Sequence, residues 1–306
     1  MAKPTPTPPR RLLAAELWGL GDLALALPFL REASRHADVT LLAKPHAAPL
    51  LRRFAPEVAL CSLHAPWSAF RGKYRLHRWP WRELQRFVHT LRAARFDLAV
   101  SARPDPREHA LLRLAGPQRM VGFPRLGSSL LLSHTLPPPA DPHRRARWQS
   151  LAHFCGWDIP PPVANPPGGK SIVIHTGAAQ PTRRWPRDRY EEIAARLRGL
   201  GWQVTLLDDR LNDLDRLLDT LAAADRFIGN DSGPGHLAAL LGVPTFTIFG
   251  PQLPARFAPV HSQAAWLEGS PCRFKPCHDD CRFARPHCLM DRTVEEVWTA
   301  VQRWLN

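Results

Sequence analysis

Acidic residues and long apolar runs are what this 306-residue chain is short of. Asp and Glu total 27 against 41 Lys and Arg, which leaves a formal net charge of +14. Lysine is scarce too, so arginine carries the surplus. Such a balance suggests an anionic partner: nucleic acid, phosphorylated lipid or a membrane surface. It does not choose among them. The best apolar run, Leu23–Leu30, falls far short of the roughly 20 residues that a membrane span needs. The Pro/Thr-rich start, Met1–Pro9, lacks the apolar region of a signal peptide. The expectation is a soluble cytoplasmic protein, able to touch a membrane from outside. No repeat recurs at a fixed period, and 33 prolines suit many short connections rather than long helices. With 44% hydrophobic residues the chain is long enough for two α/β domains.

The paired C-x2-C of common zinc ribbons is also missing. Cys61 and Cys155 stand alone, whereas Cys272, Cys277, Cys281 and Cys288 crowd into seventeen residues with His278 and His287 among them. In a cytosolic chain that density favours a metal over disulfides. The spacings make these four a candidate structural metal site and no more. The alternative is an irregular loop whose thiols are reduced or disulfide-bonded.

What the chain does have is an alternation of strand and helix patterns. Arg11–Glu16 reads as a strand, Gly19–Asp22 as a turn, Leu23–Ser34 as an amphipathic helix and Val39–Ala43 as a second strand. Helix Leu84–Ala94, strand Asp97–Ser101 and helix Arg107–Ala115 follow. A Pro/Gly-rich linker spans 158–170. Beyond it come strand Ser171–His175, helix Arg187–Leu200, strand Gln203–Leu207, helix Asp213–Ala223 and strands Arg226–Gly229 and Thr245–Phe249, with a closing helix Thr293–Trp304. Parallel sheets covered by helices on both faces are the expectation.

Residues 229–251 carry the most information. They read as a strand end, a tight turn, a short helix and another strand, with Asp231 or Ser232 as N-cap, Pro234 in the first turn and Gly242 as the stop. Such a turn aims unpaired N–H groups and the positive end of a helix dipole at one spot, which suits a phosphate. An ordinary crossover with good caps is the plain alternative. The crowding of Asp231, Ser232, Gly233 and His236 at that end speaks against it.

Residues 19–24 also satisfy G-x-G-x-x-A after a strand. The second strand ends in Ala43 and Lys44, however, where a dinucleotide enzyme wants an acid for the ribose. Asp22 would moreover set a negative charge beside the pyrophosphate. It fits better as a carboxylate kept ionised by the helix dipole, able to accept a proton from an alcohol. As a residue alone it would equally serve as a helix cap.

Residues 18–30, Trp-Gly-Leu-Gly-Asp-Leu-Ala-Leu-Ala-Leu-Pro-Phe-Leu, resemble the N-terminal signature of the ADP-heptose:lipopolysaccharide heptosyltransferase family, glycosyltransferase family 9. Three further blocks agree: Asp97 through Arg107 to Phe123, His175–Ala179 with Arg183–Pro186, and the 229–251 stretch. The cysteine-rich loop recurs in many members as well. The resemblance implies an α/β fold of the GT-B type, two Rossmann-like domains facing across a cleft. Residues 1–160 would bind acceptor, 171–292 would bind the nucleotide sugar, and the helix 293–306 would pack back on the first domain.

It further implies inverting transfer of a heptose from an ADP-heptose donor to a lipid A–Kdo type acceptor of the lipopolysaccharide inner core, at the cytoplasmic face of the inner membrane. Asp22 takes the general-base position. Ala178, Ala179, Arg183, Asp231, Ser232, Gly233 and His236 fall at the donor site, Arg183 standing where members usually carry a phosphate-binding lysine. No cofactor is expected for the chemistry, because a helix N-terminus and a guanidinium can meet the leaving charge. The segment between Leu207 and Asp213 is short, whereas many members have a longer loop with an acidic residue for the donor ribose; Asp208 and Asp209 are the candidates to substitute for it, with no basis to choose.

The densest basic–aromatic patch, residues 71–82, lies where members keep acceptor-binding cations. Arg71, Lys73, Arg75 and Arg78 are the candidates, and Trp79 and Trp81 would suit a bilayer surface. The same composition suits RNA or a solvated loop. Two alternatives therefore accompany the leading reading: a family 9 enzyme with another nucleotide sugar or glycan acceptor, and a non-catalytic GT-B-like protein binding nucleic acid or glycan. The presence of both Asp22 and the donor turn argues against the second, and nucleic acid is not the expected partner. A hydrolase is poorly matched, since Ser232 lies in Asn-Asp-Ser-Gly-Pro rather than a G-x-S-x-G elbow.

Overall fold

A computed structural model describes residues 9–69, 75–162, 164, 168–209, 213–277 and 279–306. The chain divides into two compact units, Met1–Pro160 and Pro161–Asn306. The first unit runs β1 (Arg11–Glu16), α1 (Leu20–Ala33), β2 (Asp38–Ala43), α2 (Ala47–Phe54), β3 (Ala59–Ser62), α3 (Trp81–Ala93), β4 (Leu98–Ser101), α4 (Pro106–Leu114), β5 (Arg119–Gly122), β6 (His134–Thr135) and α5 (Arg144–Phe154). Its strands pair in parallel in the order β3-β2-β1-β4-β5-β6. Leu12, Leu13, Ala14 and Ala15 of the central β1 are all fully buried, as expected of a strand covered by helices on both faces. On one of those faces Phe29 of α1 meets Trp148 of α5 at 5.1 Å between ring centroids.

The second unit runs β7 (Ser171–His175), α6 (Arg187–Gly199), β8 (Gln203–Leu207), α7 (Leu214–Ala222), β9 (Arg226–Asn230), α8 (Gly233–Leu240), β10 (Thr245–Phe249), α9 (Pro254–Phe257), β11 (Ala265–Glu268), α10 (His287–Met290) and α11 (Val294–Leu305). Its parallel order is β8-β7-β9-β10-β11. Trp185, Tyr190, Ile193, Leu197, Phe246 and Leu289 form its core.

One sequence expectation changes here. The turn expected over 19–22 is already helical: α1 starts at Leu20 with Gly19 as N-cap, which places Asp22 in its first turn. The closing helix belongs to the second unit. A Thr293–Glu296 capping box starts it, and Val297 and Val301 are fully buried among Ile172, Ile193 and Phe246. That apolar face packs in the core of the second unit.

Strand order also locates candidate sites. Connections leave β1 toward β2 and β3 on one side and toward β4 on the other. The second sheet reverses in the same way between β7 and β9. Crevices at the carboxyl ends of strands flanking such a reversal are where doubly wound sheets bind ligands.

Candidate active site

At the reversal of the first sheet, β1 ends in Glu16, β4 ends in Ser101 and Asp22 stands on the first turn of α1. Asp22 Oδ2 accepts a 2.6 Å ion pair from Arg103, just beyond β4, and Arg144 at the start of α5 lies 3.8 Å from Oδ1. The Arg103 guanidinium carbon lies over the Trp18 ring, 4.5 Å from its centroid, within cation–π range. Nearby cations and the helix N-terminus both favour a carboxylate over a carboxylic acid at this place. Glu16, Asp22, Arg103, Arg144 and Trp148 line one small cavity. Burial, crowding by Arg103 and incomplete compensation by Asp22 and Glu16 bring the Arg144 guanidinium down to about 10.

Two buried acids back this cavity. Glu16 is raised to about 7, first by burial and then by the Asp22 charge. Glu108 of α4 is fully buried and raised to about 8 by burial and by Glu16. Its Oε1 lies 2.5 Å from Ser101 Oγ, which also accepts a hydrogen bond from Arg103 N. A protonated Glu108 can donate to that hydroxyl while the serine donates to Arg103 O at 3.1 Å. Through Ser101, Glu108 braces the loop that carries Arg103. Lys44, at the end of β2, is held below its ordinary value by burial against the pull of Glu16 and Asp22.

At the reversal of the second sheet, Asn230 closes β9 fully buried. Its side-chain amide donates to Thr176 O at 2.9 Å, and its oxygen accepts from Trp185 N and Tyr190 OH, both at 2.9 Å. Asn230 thus pins the loop after β7 to the start of α6. Ser232 is N-cap of α8 with no capping bond of its own, and its Oγ is buried with no hydrogen-bond partner among the described residues. Gly233 opens the helix and His236 is buried within its first turns. Gly242 ends it at φ +80°, a conformation in which glycine avoids a side-chain clash.

Arg183 sits on a 3-10 turn, Pro181–Arg183, and is gripped from two sides. Its Nε and Nη2 both reach Asp279 at 2.6 Å, and Nη1 reaches Asp231 Oδ2 at 3.1 Å. Asp231 is almost fully buried. Arg184 donates from Nε to Ala178 O at 2.7 Å and pairs with Asp209 at 2.5 Å. Ala178 is buried and Ala179 exposed. A side chain at position 177 would collide with the carboxylate and backbone of Asp209, so the loop requires glycine there. Asp208 turns instead to Arg187 of α6 at 3.0 Å. Asp209 is thus the acid beside the predicted donor loop.

The structure brings Arg183, Asp231 and Ser232 together at one sheet end, and Asp22 stands at the corresponding end of the other sheet. The basic patch is less coherent. Arg71 and Lys73 lie outside the described residues, as does His278. Arg75 and Arg78 are exposed. Trp79 is packed between Trp67 and Trp81, with centroids 5.4 and 5.3 Å away, so its ring serves the core rather than a bilayer. Trp81 remains half exposed. All four clustered cysteines are unpaired and line one cavity with Phe274, Phe283 and His287. Among the described residues, no group of three or more His, Cys, Asp or Glu side chains is arranged to hold a metal ion.

Sequence reasoning did not find Glu16, Arg103, Glu108, Arg144 or Asp279. Glu16 had a usable signal, an acid closing an otherwise apolar buried strand. Asp279 had none.

Solved structures share this fold. Escherichia coli heptosyltransferase WaaC with ADP resembles this chain with a TM-score of 0.74 at 17% identity, covering 96% of this chain and 99% of that one. Escherichia coli ADP-heptose lipopolysaccharide heptosyltransferase II gives 0.71 at 20% identity, covering 97% and 98%. The fold is GT-B, with two doubly wound α/β units in one chain. Residues 210–283 match glycosyltransferase family 9 (heptosyltransferase). Lipopolysaccharide heptosyltransferase 1 of Pseudomonas aeruginosa is 24% identical over 96% of this chain and 98% of its own length. The chain is a glycosyltransferase, similar to family 9 over residues 210–283 and to a heptosyltransferase along nearly its whole length.

Proposed function

We propose that this protein is an inverting glycosyltransferase that moves a heptose from ADP-heptose to the lipopolysaccharide inner core, on a lipid A–Kdo type acceptor. The observation that carries the reading is the pair of switch-point sites: a carboxylate held by cations in one unit, and a helix N-terminus with an adjacent guanidinium in the other. The acceptor oxygen attacks the anomeric carbon, the bond to the ADP oxygen breaks, and the hydroxyl proton passes to Asp22. An attacking hydroxyl becomes strongly acidic only as the new C–O bond forms, and a carboxylate can take the proton at that point. Charge developing on ADP is met by the α8 N-terminus, Ser232 Oγ and Arg183. Those groups supply the stabilisation without calling on a metal. Asp209, fixed by Arg184 beside Gly177, takes the ribose hydroxyls.

The acceptor is lipid-linked, so contact with a membrane surface is part of the proposal. Among the described residues no helix is long and apolar enough to cross a membrane. Leu126 and Leu130 of the first unit are 83% and 92% exposed and supply apolar contact, with Arg75 and Arg78 available for anionic groups. A thermal-shift panel of ADP-, UDP-, GDP- and CMP-sugars tests the donor. Stabilisation confined to ADP ligands supports it. An equal response to every nucleotide, or a response to RNA alone, contradicts it.

A further inference from the structure

Arg183 carries more negative charge than a phosphate-binding residue needs. Two carboxylates contact one guanidinium, so the cluster holds a net charge of −1 before any donor arrives. Bringing a diphosphate to the α8 N-terminus adds anionic charge beside both acids. One of them must give way for Arg183 to serve the phosphates.

The two acids differ in how they are held. Asp231 follows β9 directly and its side chain is 3% exposed. Asp279 sits in the cysteine-rich loop between β11 and α10, in a left-handed conformation at φ +71°, and its side chain is 13% exposed. Gln252 Nε2, at 3.4 Å, adds one weak bond to its Oδ2. Asp279 also occupies the Nε–Nη2 edge of Arg183 with two 2.6 Å bonds. That edge can hold two oxygens of a phosphate at once. A carboxylate already seated there imitates the ligand.

Resting on the donor reading above, we infer that Asp279 is a donor-site residue, a placeholder that keeps Arg183 aligned until the nucleotide diphosphate takes its place. Donor binding exchanges one bidentate partner for another. Arg183 keeps its Nη1 bond to Asp231 throughout, and the cysteine-rich loop is released at Asp279. The apparent affinity for ADP is then reduced by the fraction of molecules in which Asp279 holds the edge.

The test is ADP titration into the wild-type protein and Asp279→Asn, with alkylation of Cys281 followed in the same samples. The amide keeps the side chain's shape and removes its charge. Asp279→Asn is expected to bind ADP about tenfold more tightly. In the wild-type protein, saturating ADP is expected to speed alkylation of Cys281, two residues from Asp279. In the variant, alkylation should be fast without ADP. Wild-type binding with equal or weaker binding by Asp279→Asn would make Asp279 a permanent strut and overturn the inference while leaving the donor reading standing. An alkylation rate indifferent to ADP would equally overturn release of the loop. Absence of ADP binding in both proteins would remove the donor reading and the inference together.

Discussion

The two sheet ends are built with opposite charge logic. In the first unit the central group is an acid, Asp22, and its neighbours Arg103 and Arg144 are cations. In the second the central group is a cation, Arg183, and its neighbours Asp231 and Asp279 are acids. Each arrangement fixes a side chain in the charge state its proposed task requires. A base has to start ionised, and a phosphate ligand has to stay aligned before phosphate arrives. The contrast also separates what each site does with its neighbours. Around Asp22 they can remain in place during proton transfer. Around Arg183 one of them stands where the ligand must go.

Substitutions that touch only one of these sites sharpen the contrast. Asp22→Asn should lower turnover by a factor on the order of 100 or more, because the amide cannot accept the proton. Full turnover in steady-state assays would take Asp22 out of the base role. Arg183→Ala should weaken ADP by roughly 10- to 100-fold, since it removes a charge-assisted contact and leaves Asp231 and Asp279 without their shared cation. Unchanged affinity in a calorimetric titration would make Arg183 a structural pin.

The smallest effect belongs to the buried acid behind Arg103. Glu108 is raised to about 8 in the folded protein from an ordinary value of 4.5. The folded state therefore binds more protons than the unfolded chain between those values. Stability falls as pH climbs through that window, and the loss is complete only above about pH 8. Glu108→Gln removes the dependence, so its melting temperature should exceed that of the wild-type protein at pH 8 and match it near pH 5. Parallel melting curves at both pH values, with no crossover, would show that Glu108 stays ionised in the fold.

The sequence made the local parts of this molecule readable. Strands Ser171–His175 and Thr245–Phe249 are short apolar runs between turn residues, and the 229–242 turn announces itself through Ser232, Pro234 and Gly242. Three strands of four residues were not readable, because they are too short to show a period. Ala59–Ser62, Arg119–Gly122 and Ala265–Glu268 form only because a neighbouring strand offers a ladder. Helix Arg144–Phe154 begins in arginines, and its buried side of Ala146, Trp148, Leu151 and Ala152 makes sense only against α1. The same limit hid the pairing of charges. Arg103 and Arg144 lie far from Asp22 along the chain, and Arg183 meets Asp279 across 96 residues. With so many arginines, topology alone decides which ones reach an acid. Arg183 and Asp231 were each legible at their places in the chain, but their pairing and the part of Asp279 were not.

A division of labour between the two units is most directly tested by titrating ADP into Asp22→Asn and assaying turnover on the same preparation. The account predicts wild-type affinity beside nearly abolished sugar transfer. Affinity and transfer falling in step would contradict it, because the acid of the first unit would then be holding the nucleotide.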